Sequence, residues 1–116
     1  MKVRLSESLI RIRVNLDDVS QWQQSGQVDL SIPWIHHHCK IELSFTEAEH
    51  WQIPDIGTHI WCIQVPKPVF LEWVNTQQES IEYRIGTLRI SIEKDYPCEH
   101  RLGEETRNFT RPHETH

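Results

Sequence analysis

A repeated order of strand, short helix and strand is the feature that most limits the folds open to this chain. Four apolar positions in residues 11–32 recur in the same order fifty-one residues later, in residues 63–85. They are Ile12, Val14, Val19 and Trp22 in the first copy, and Ile63, Val65, Phe70 and Trp73 in the second. Because each copy leads into a further strand-like run, the sequence indicates a twice-used β-α-β-β unit.

The spacing of the apolar runs predicts the fold class. Alternating apolar residues mark six or seven strands, and only two segments, at about residues 16–25 and 68–76, have helical spacing. The remaining links are too short for crossovers between parallel strands. We therefore predict an α+β fold in which the two short helices cover one face of a mostly antiparallel curved sheet or partly closed barrel.

The chain length allows one core. A chain of 116 residues is one ordinary domain, which we place at residues 1–100. No apolar period survives beyond it, so residues 101–116 are predicted to be a largely mobile tail. Hydrophobic residues make up only 37% of the chain, five of them Trp, against roughly 45–50% in average domains when Gly is included. A core this thin favours a homodimer or another protein partner that shares apolar surface.

The overall charge argues against two classes of partner. Twelve basic and seventeen acidic residues give a formal net charge of −5, which repels nucleic acid and anionic membranes. No apolar run approaches the roughly 20 residues of a membrane span. We therefore expect no nucleic acid and no membrane as partners, although the net charge leaves room for a local basic strip.

Cysteine usage points to a compartment. Cys39, Cys62 and Cys98 are an odd number without paired spacing, so we expect no disulfide framework and a reducing cytoplasm. Basic residues interrupt every apolar run near the N-terminus, which argues against a secretion signal.

Residues 10–14 alternate apolar and basic side chains. Arg11 and Arg13 face away from Ile10, Ile12 and Val14 if the segment is extended, which predicts a half-buried strand with one solvated face. We interpret both arginines as solubilising charges.

Residues 46–57 join the two copies. Thr46 and Glu49 fit the capping box that begins a helical turn, and Pro54 and Gly57 predict a loop soon afterwards. The next run, residues 59–65, has the strongest strand composition and apolar residues on both faces. We expect it to be a central strand that is covered on both sides.

Two pairs of metal-ligating side chains stand at a spacing of two residues. His36 and His38 share a face if their segment is extended, and so do Cys98 and His100. Imidazole nitrogen and thiolate sulfur suit zinc, copper or nickel, so these four are the candidate metal ligands. The plainer interpretations are a solvated polar turn at the first pair and, at the second, a small apolar cysteine beside a surface histidine.

No recognised catalytic motif occurs in the chain. Glu93, Lys94 and Asp95 are adjacent charges at a strand end, where side chains alternate in direction. We assign no catalytic and no cofactor-binding residue.

Several segments together resemble a small, uncharacterised bacterial family, a domain of unknown function. Its members begin with an MKxRxxxxSLRxRL-like strand, carry a VP-helix-W segment and close with EKDFxC. The matching segments are Met1–Arg4, Ser8–Val14, Val65-Pro66 with Trp73, and Glu93–Cys98. The chain departs from the pattern at the run 36–38 and in a tail with Arg107, Thr110 and Arg111. The resemblance implies a single cytoplasmic domain, and because the family has no assigned activity it carries over no catalytic residue.

Three function classes remain open. The thin core and the absence of a catalytic constellation favour a small non-enzymatic protein-interaction or assembly module. The alternative is a metal-binding or metal-responsive protein that uses His36, His38, Cys98 and His100. The third is an enzyme with an unrecognised site, which a pocket lined by convergent polar groups would indicate.

Overall fold

The computed structural model describes residues 1–33, 38–55 and 59–96. In these residues the chain forms eight strands and two helices. In chain order they are β1 (Lys2–Leu5), β2 (Leu9–Val14), α1 (Leu16–Ser25), β3 (Gln27–Pro33), β4 (His38–Thr46), β5 (Gln52–Asp55), β6 (Ile60–Pro66), α2 (Lys67–Asn75), β7 (Ser80–Ile85) and β8 (Leu88–Lys94). The tail predicted at residues 101–116 lies outside the described residues.

The chain divides into two compact units, one of residues 1–19 and 73–116 and one of residues 20–72. The first contains sheet A, with the strand order β1-β2-β8-β7, and the second contains sheet B, with the order β3-β4-β6-β5. The predicted α+β class is confirmed, and four of the six strand pairs are antiparallel. The partly closed barrel is corrected, because the strands form two four-stranded sheets that do not close. One domain over residues 1–100 stays a prediction.

The two sheets have the same internal plan. In each, a central parallel pair, β2 with β8 or β6 with β4, is flanked by antiparallel partners. The plan fits two copies of a β-β-α-β-β unit, β1 to β4 and β5 to β8, one strand longer than the sequence indicated. Each sheet then takes one strand pair from each copy.

The register of the parallel pairs agrees with this assignment. Ile12 lies opposite Ile92 in sheet A, and Ile63 lies opposite Leu43 in sheet B. Each of these four side chains is fully buried. Superposition of the two copies stays a prediction.

In the first unit, strand alternation produces an apolar face on sheet A. The buried residues of this face are Ile10, Ile12, Val14, Ile81, Ile90 and Ile92. Helix α1 begins in the same unit with a reciprocal cap. The amide of Asp18 donates to Asn15 Oδ1 and the amide of Asn15 donates to Asp18 Oδ2, each at 2.9 Å. Two backbone donors at the helix start are thereby satisfied.

Aromatic packing forms the core of the second unit. The ring of Trp22 lies 4.6 Å from that of Phe70 and 5.5 Å from that of Phe45, and the two phenylalanine rings are 4.9 Å apart. Trp22 and Phe70 are fully buried. These large rings compensate for the low hydrophobic content of the chain, since each aromatic side chain buries about 150–250 Å².

The segment between the copies differs from its prediction. Residues 47–50 are bends, not a helical turn, and the Thr46 hydroxyl accepts a hydrogen bond from the amide of Ala48 at 3.1 Å. Pro54 lies inside edge strand β5, where a missing N–H is tolerated and where the register with β6 shifts. The predicted central position of β6 is confirmed, but Ile60 is 42% exposed, so that strand is not covered on both sides.

Candidate functional site: a basic face on sheet A

The polar face of sheet A carries most of the positive charge in the described part of the chain. The structure describes nine lysine and arginine residues, and the strand register places six of them on this face. We call these six residues the basic face: Lys2, Arg4, Arg11, Arg13, Arg84 and Arg89. All are exposed or half-buried. The face also carries two acidic residues, Glu82 and Glu93.

Strand alternation creates the basic face. Successive side chains of a strand point to opposite faces, so a strand that buries Ile10 and Ile12 presents Arg11 and Arg13 on the other side. The prediction of one solvated face for this strand is confirmed.

Three cross-strand pairs on the face join like charges. Lys2 lies opposite Arg13 and Arg4 opposite Arg11, both between β1 and β2. Arg84 lies opposite Arg89, between β7 and β8. Like charges directly opposite each other destabilise a sheet. The arrangement therefore weakens the fold unless an anion compensates it.

Glu93 is the main internal counter-ion. Its carboxylate accepts a hydrogen bond from Arg11 Nε at 2.8 Å and from the Ser91 hydroxyl at 3.0 Å, and it lies 3.7 Å from Arg13 Nε. Lys2 Nζ lies 3.1 Å from the carboxylate of Asp95. No acidic side chain in the described residues forms an ion pair with Arg4, Arg84 or Arg89.

Two depressions border these charges. A shallow hollow of about 140 Å³ is lined by Lys2, Val3, Arg4, Arg11 and Arg13. A larger open pocket of about 460 Å³ adjoins the far side of the two arginines. It is lined by Arg11, Arg13, Glu79, Ser80, Glu93, Lys94, Asp95 and Tyr96.

Among the described residues that line the larger pocket, the Glu93 carboxylate is already engaged by neighbouring side chains. The Ser91 hydroxyl donates to Glu93, yet the same carboxylate also holds Arg11 and Arg13. A general base needs an acceptor that is available to a reacting proton. The contacts thus form a charge network and support no catalytic assignment.

Lys94 is a buried cation of this unit. It is only 7% exposed, and its ammonium donates a hydrogen bond to the carbonyl of Thr76, just after α2, at 2.7 Å. Burial lowers the pKa of Lys94, and the nearby charge of Glu79 opposes that shift. The hydrogen bond satisfies a carbonyl oxygen at the C-terminus of helix α2, where the helix dipole favours a positive charge.

The corresponding face of sheet B has a different character. Strand β6 of the second copy corresponds to β2 of the first, and in it Cys62 and Gln64 stand where β2 has Arg11 and Arg13. Lys40 corresponds to Arg89, but it is paired with Asp29 at 3.0 Å. That hydrogen bond raises the pKa of Lys40. With Glu42, whose carboxylate accepts from the Cys62 thiol at 3.4 Å, the described face carries one cation and two acids.

The candidate metal ligands lie outside what the structure describes. His36, Cys98 and His100 are in the segments left out, and His38 is described only as the first residue of β4, opposite Pro33. Among the described residues, no group of three metal-ligating side chains converges. The metal site stays a prediction.

Sequence reasoning missed the basic face because it depends on strand pairing across the chain. Arg11 and Arg89 are far apart in sequence and meet only because β2 pairs with β8. The available signal was the alternation of basic residues in residues 2–4 and 11–13, together with Arg84 and Arg89 at the two sides of a predicted hairpin turn.

The fold and the site define an α+β protein with two mixed four-stranded sheets, one of which has a basic polar face. The chain belongs to a family of unknown function, DUF7009, whose model matches residues 1–113. This match confirms the resemblance to an uncharacterised family. No curated protein and no solved structure matches the chain. Neither described helix is long and apolar enough to cross a membrane.

Proposed function

We propose that the protein is a non-enzymatic binding module that holds an acidic segment of a partner protein on the basic face. The observation that carries the proposal is the concentration of six of nine described cations on one face, in a chain whose net charge is −5. Surface charges act over a Debye length of about 8 Å at physiological salt. An acidic segment in contact with the basic face is therefore attracted by its cations more strongly than it is repelled by the acidic residues elsewhere on the chain.

The like-charged pairs support binding over simple solubility. A solubilising surface mixes charges of both signs, as the face of sheet B does with Lys40 and Asp29. On the basic face three cross-strand pairs join like charges, which destabilise a sheet, and only the two pairs between β1 and β2 have acidic counter-ions, Glu93 and Asp95. A bound acidic ligand reduces the repulsion between these cations. The basic face is therefore more stable with the ligand than without it.

The composition of the face favours protein over nucleic acid. Single-stranded nucleic acid binds through aromatic side chains that stack on bases. The described rows of the basic face contain no aromatic residue, since Tyr83 lies opposite Ile90 in the apolar row.

A second copy of the chain is the other protein partner that we consider. Sedimentation tests the homodimer suggested by the thin core. We keep the cytoplasm as the proposed location.

Peptide binding tests the proposal. A labelled Glu-rich peptide of about ten residues is titrated with the protein by fluorescence anisotropy, beside a Gln-rich peptide of equal length. We expect the acidic peptide to bind with micromolar affinity at low salt and to weaken steeply as salt is added.

Matched variants give the control. Arg89→Gln removes a cation from the basic face, and Lys40→Gln removes its counterpart from sheet B. We expect Arg89→Gln to weaken binding several-fold and Lys40→Gln to leave it unchanged. Equal effects of the two variants, or an affinity weaker than about millimolar, refute the proposal.

The metal-binding alternative has its own test. Calorimetric titration of tag-free, metal-stripped protein with zinc, copper and nickel is compared with a His36→Ala, His38→Ala double variant. Site formation predicts proton release and a higher unfolding temperature in the wild type alone, because an assembled site exists only in the folded state. Equal binding by the double variant leaves these histidines as a polar segment.

A further inference from the structure

We infer that the hollow between β1 and β2 receives one phosphomonoester group carried by the acidic partner segment. The inference rests on the proposed function and adds the chemistry of its central contact. Four cations line the hollow, namely Lys2, Arg4, Arg11 and Arg13. They belong to two directly opposed pairs in neighbouring strands.

The charge of the hollow matches a dianion. Two acidic residues already neutralise part of it, Glu93 against the two β2 arginines and Asp95 against Lys2. Four positive and two negative groups leave two positive charges. A phosphomonoester carries about −1.5 to −2 at pH 7, whereas a carboxylate carries one negative charge and leaves the hollow half neutralised.

The dimensions of the hollow also fit. Neighbouring strands are about 4.8 Å apart, and residues two apart on a strand are separated by about 7 Å. The four side chains therefore rise from the corners of a small rectangle above a space of about 140 Å³. Arginine N–H donors at this spacing surround a tetrahedral oxyanion from several directions.

The ion pairs with Glu93 prepare two of these side chains. Arg11 and Arg13 approach the carboxylate through Nε, and a guanidinium has five N–H donors in a fixed plane. The internal contact thus fixes the orientation of the guanidinium while other donors serve a ligand. Arg4, which has no ion pair with a described residue, is the cation most dependent on an external anion.

Three peptides of one Glu-rich sequence test the inference, with Ser, Glu or phosphoserine at a single central position. We expect the phosphoserine peptide to bind about tenfold more tightly than the Glu peptide at pH 7.5 and equal ionic strength. Below a pH of about 6 the phosphate becomes a monoanion, so this preference should shrink toward unity. Inorganic phosphate should displace the phosphoserine peptide more effectively than chloride at matched ionic strength.

Two variants locate the contact. Arg4→Gln removes a cation of the hollow, and Arg84→Gln removes one from the basic face outside it. We expect Arg4→Gln to reduce the phosphoserine preference to within about threefold, and Arg84→Gln to weaken all three peptides by a similar factor. Arg13→Gln is the second hollow variant, and circular dichroism verifies that each variant is folded.

Each outcome separates the inference from the proposed function. Equal binding of the phosphoserine and Glu peptides overturns the phosphate site and leaves the acidic-segment proposal standing. Failure of all three peptides to bind overturns both. Tighter binding of single-stranded RNA than of the phosphoserine peptide overturns the assignment of the hollow to a phosphorylated protein.

Discussion

The carboxylate of Glu93 binds Arg11 Nε at 2.8 Å, although Arg11 is its diagonal neighbour and not its direct cross-strand partner. The direct partner, Arg13, is further away, at 3.7 Å. One carboxylate therefore couples two guanidinium groups of the same strand. This coupling makes Glu93 both a structural contact and an internal competitor for any acidic ligand.

Glu93→Gln is expected to change binding and stability in opposite directions. Removal of the negative charge makes the basic face more positive, so the Glu-rich peptide should bind about three- to tenfold more tightly at low salt. Loss of the ion pairs should lower the free energy of unfolding by about 0.5–1 kcal/mol. Anisotropy titration and urea unfolding measure the two effects.

The matched control is Glu82→Gln, on the same face but without an ion pair to a described residue. It should raise the affinity with little loss of stability. A Glu93→Gln variant that binds the peptide more weakly than the wild type would show that orientation of the arginines matters more than net charge.

Arg84→Thr is predicted to stabilise the protein while it weakens peptide binding. The substitution removes the repulsion between Arg84 and Arg89 and places a β-branched residue in edge strand β7. We expect the free energy of unfolding to rise by about 0.2–1 kcal/mol. Lys40→Thr is the control, since it breaks the ion pair with Asp29 and should give no stability gain. A destabilised Arg84→Thr protein would contradict the view that the like-charged pair is a structural cost.

Local patterns predicted the helices closely, because their signals are short in range. Helix α1 spans Leu16–Ser25 as expected, and α2 spans Lys67–Asn75, one residue from the predicted bounds. The capping residues and the apolar spacing of each helix are local to it. Strand β5 was missed because its Pro54 reads as a strand breaker, and only its position at a sheet edge makes that residue acceptable.

The sequence pattern could not predict which strands pair in the same sheet. Alternation established that Arg11 points away from Ile10 and Ile12, but not that its neighbours would be Arg4 on one side and Ser91 on the other. Pairing between distant strands depends on tertiary packing. Consequently the basic face, which is built from three separate segments, became visible only with the strand order.

Phe70→Ala should cause a large loss of stability. Phe70 is fully buried, and its ring lies 4.6 Å from that of Trp22 and 4.9 Å from that of Phe45. Truncation leaves a cavity between two aromatic rings, so we expect the free energy of unfolding to fall by about 3–5 kcal/mol. Val69→Ala in the same helix is the control, because Val69 is only half-buried. A loss below about 1 kcal/mol for Phe70→Ala would mean that this aromatic cluster is not the core of its unit.

Lys94 should make the stability of the protein depend on pH in the alkaline range. Burial lowers the pKa of Lys94 from its ordinary value of 10.5. Between the lowered folded pKa and 10.5 the unfolded chain binds more protons than the folded one. The free energy of unfolding therefore rises with pH across that interval and is constant below it. A neutral amine still donates its hydrogen bond to Thr76, so deprotonation removes the cost of the buried charge without removing the contact.

The comparison with Lys94→Met isolates this effect from other titrating groups. We expect the stability of the wild type relative to Lys94→Met to increase with pH as 10.5 is approached from below, as measured by urea unfolding at several pH values. Lys40→Met is the opposite control. Because the pKa of Lys40 is raised by Asp29, its contribution is fully present below 10.5 and is lost only as the pH rises through its folded pKa. The contrary outcome is a difference in the free energy of unfolding between the wild type and Lys94→Met that does not increase with pH. It would show that the Lys94 ammonium is at least as well stabilised in the folded protein as in the unfolded chain.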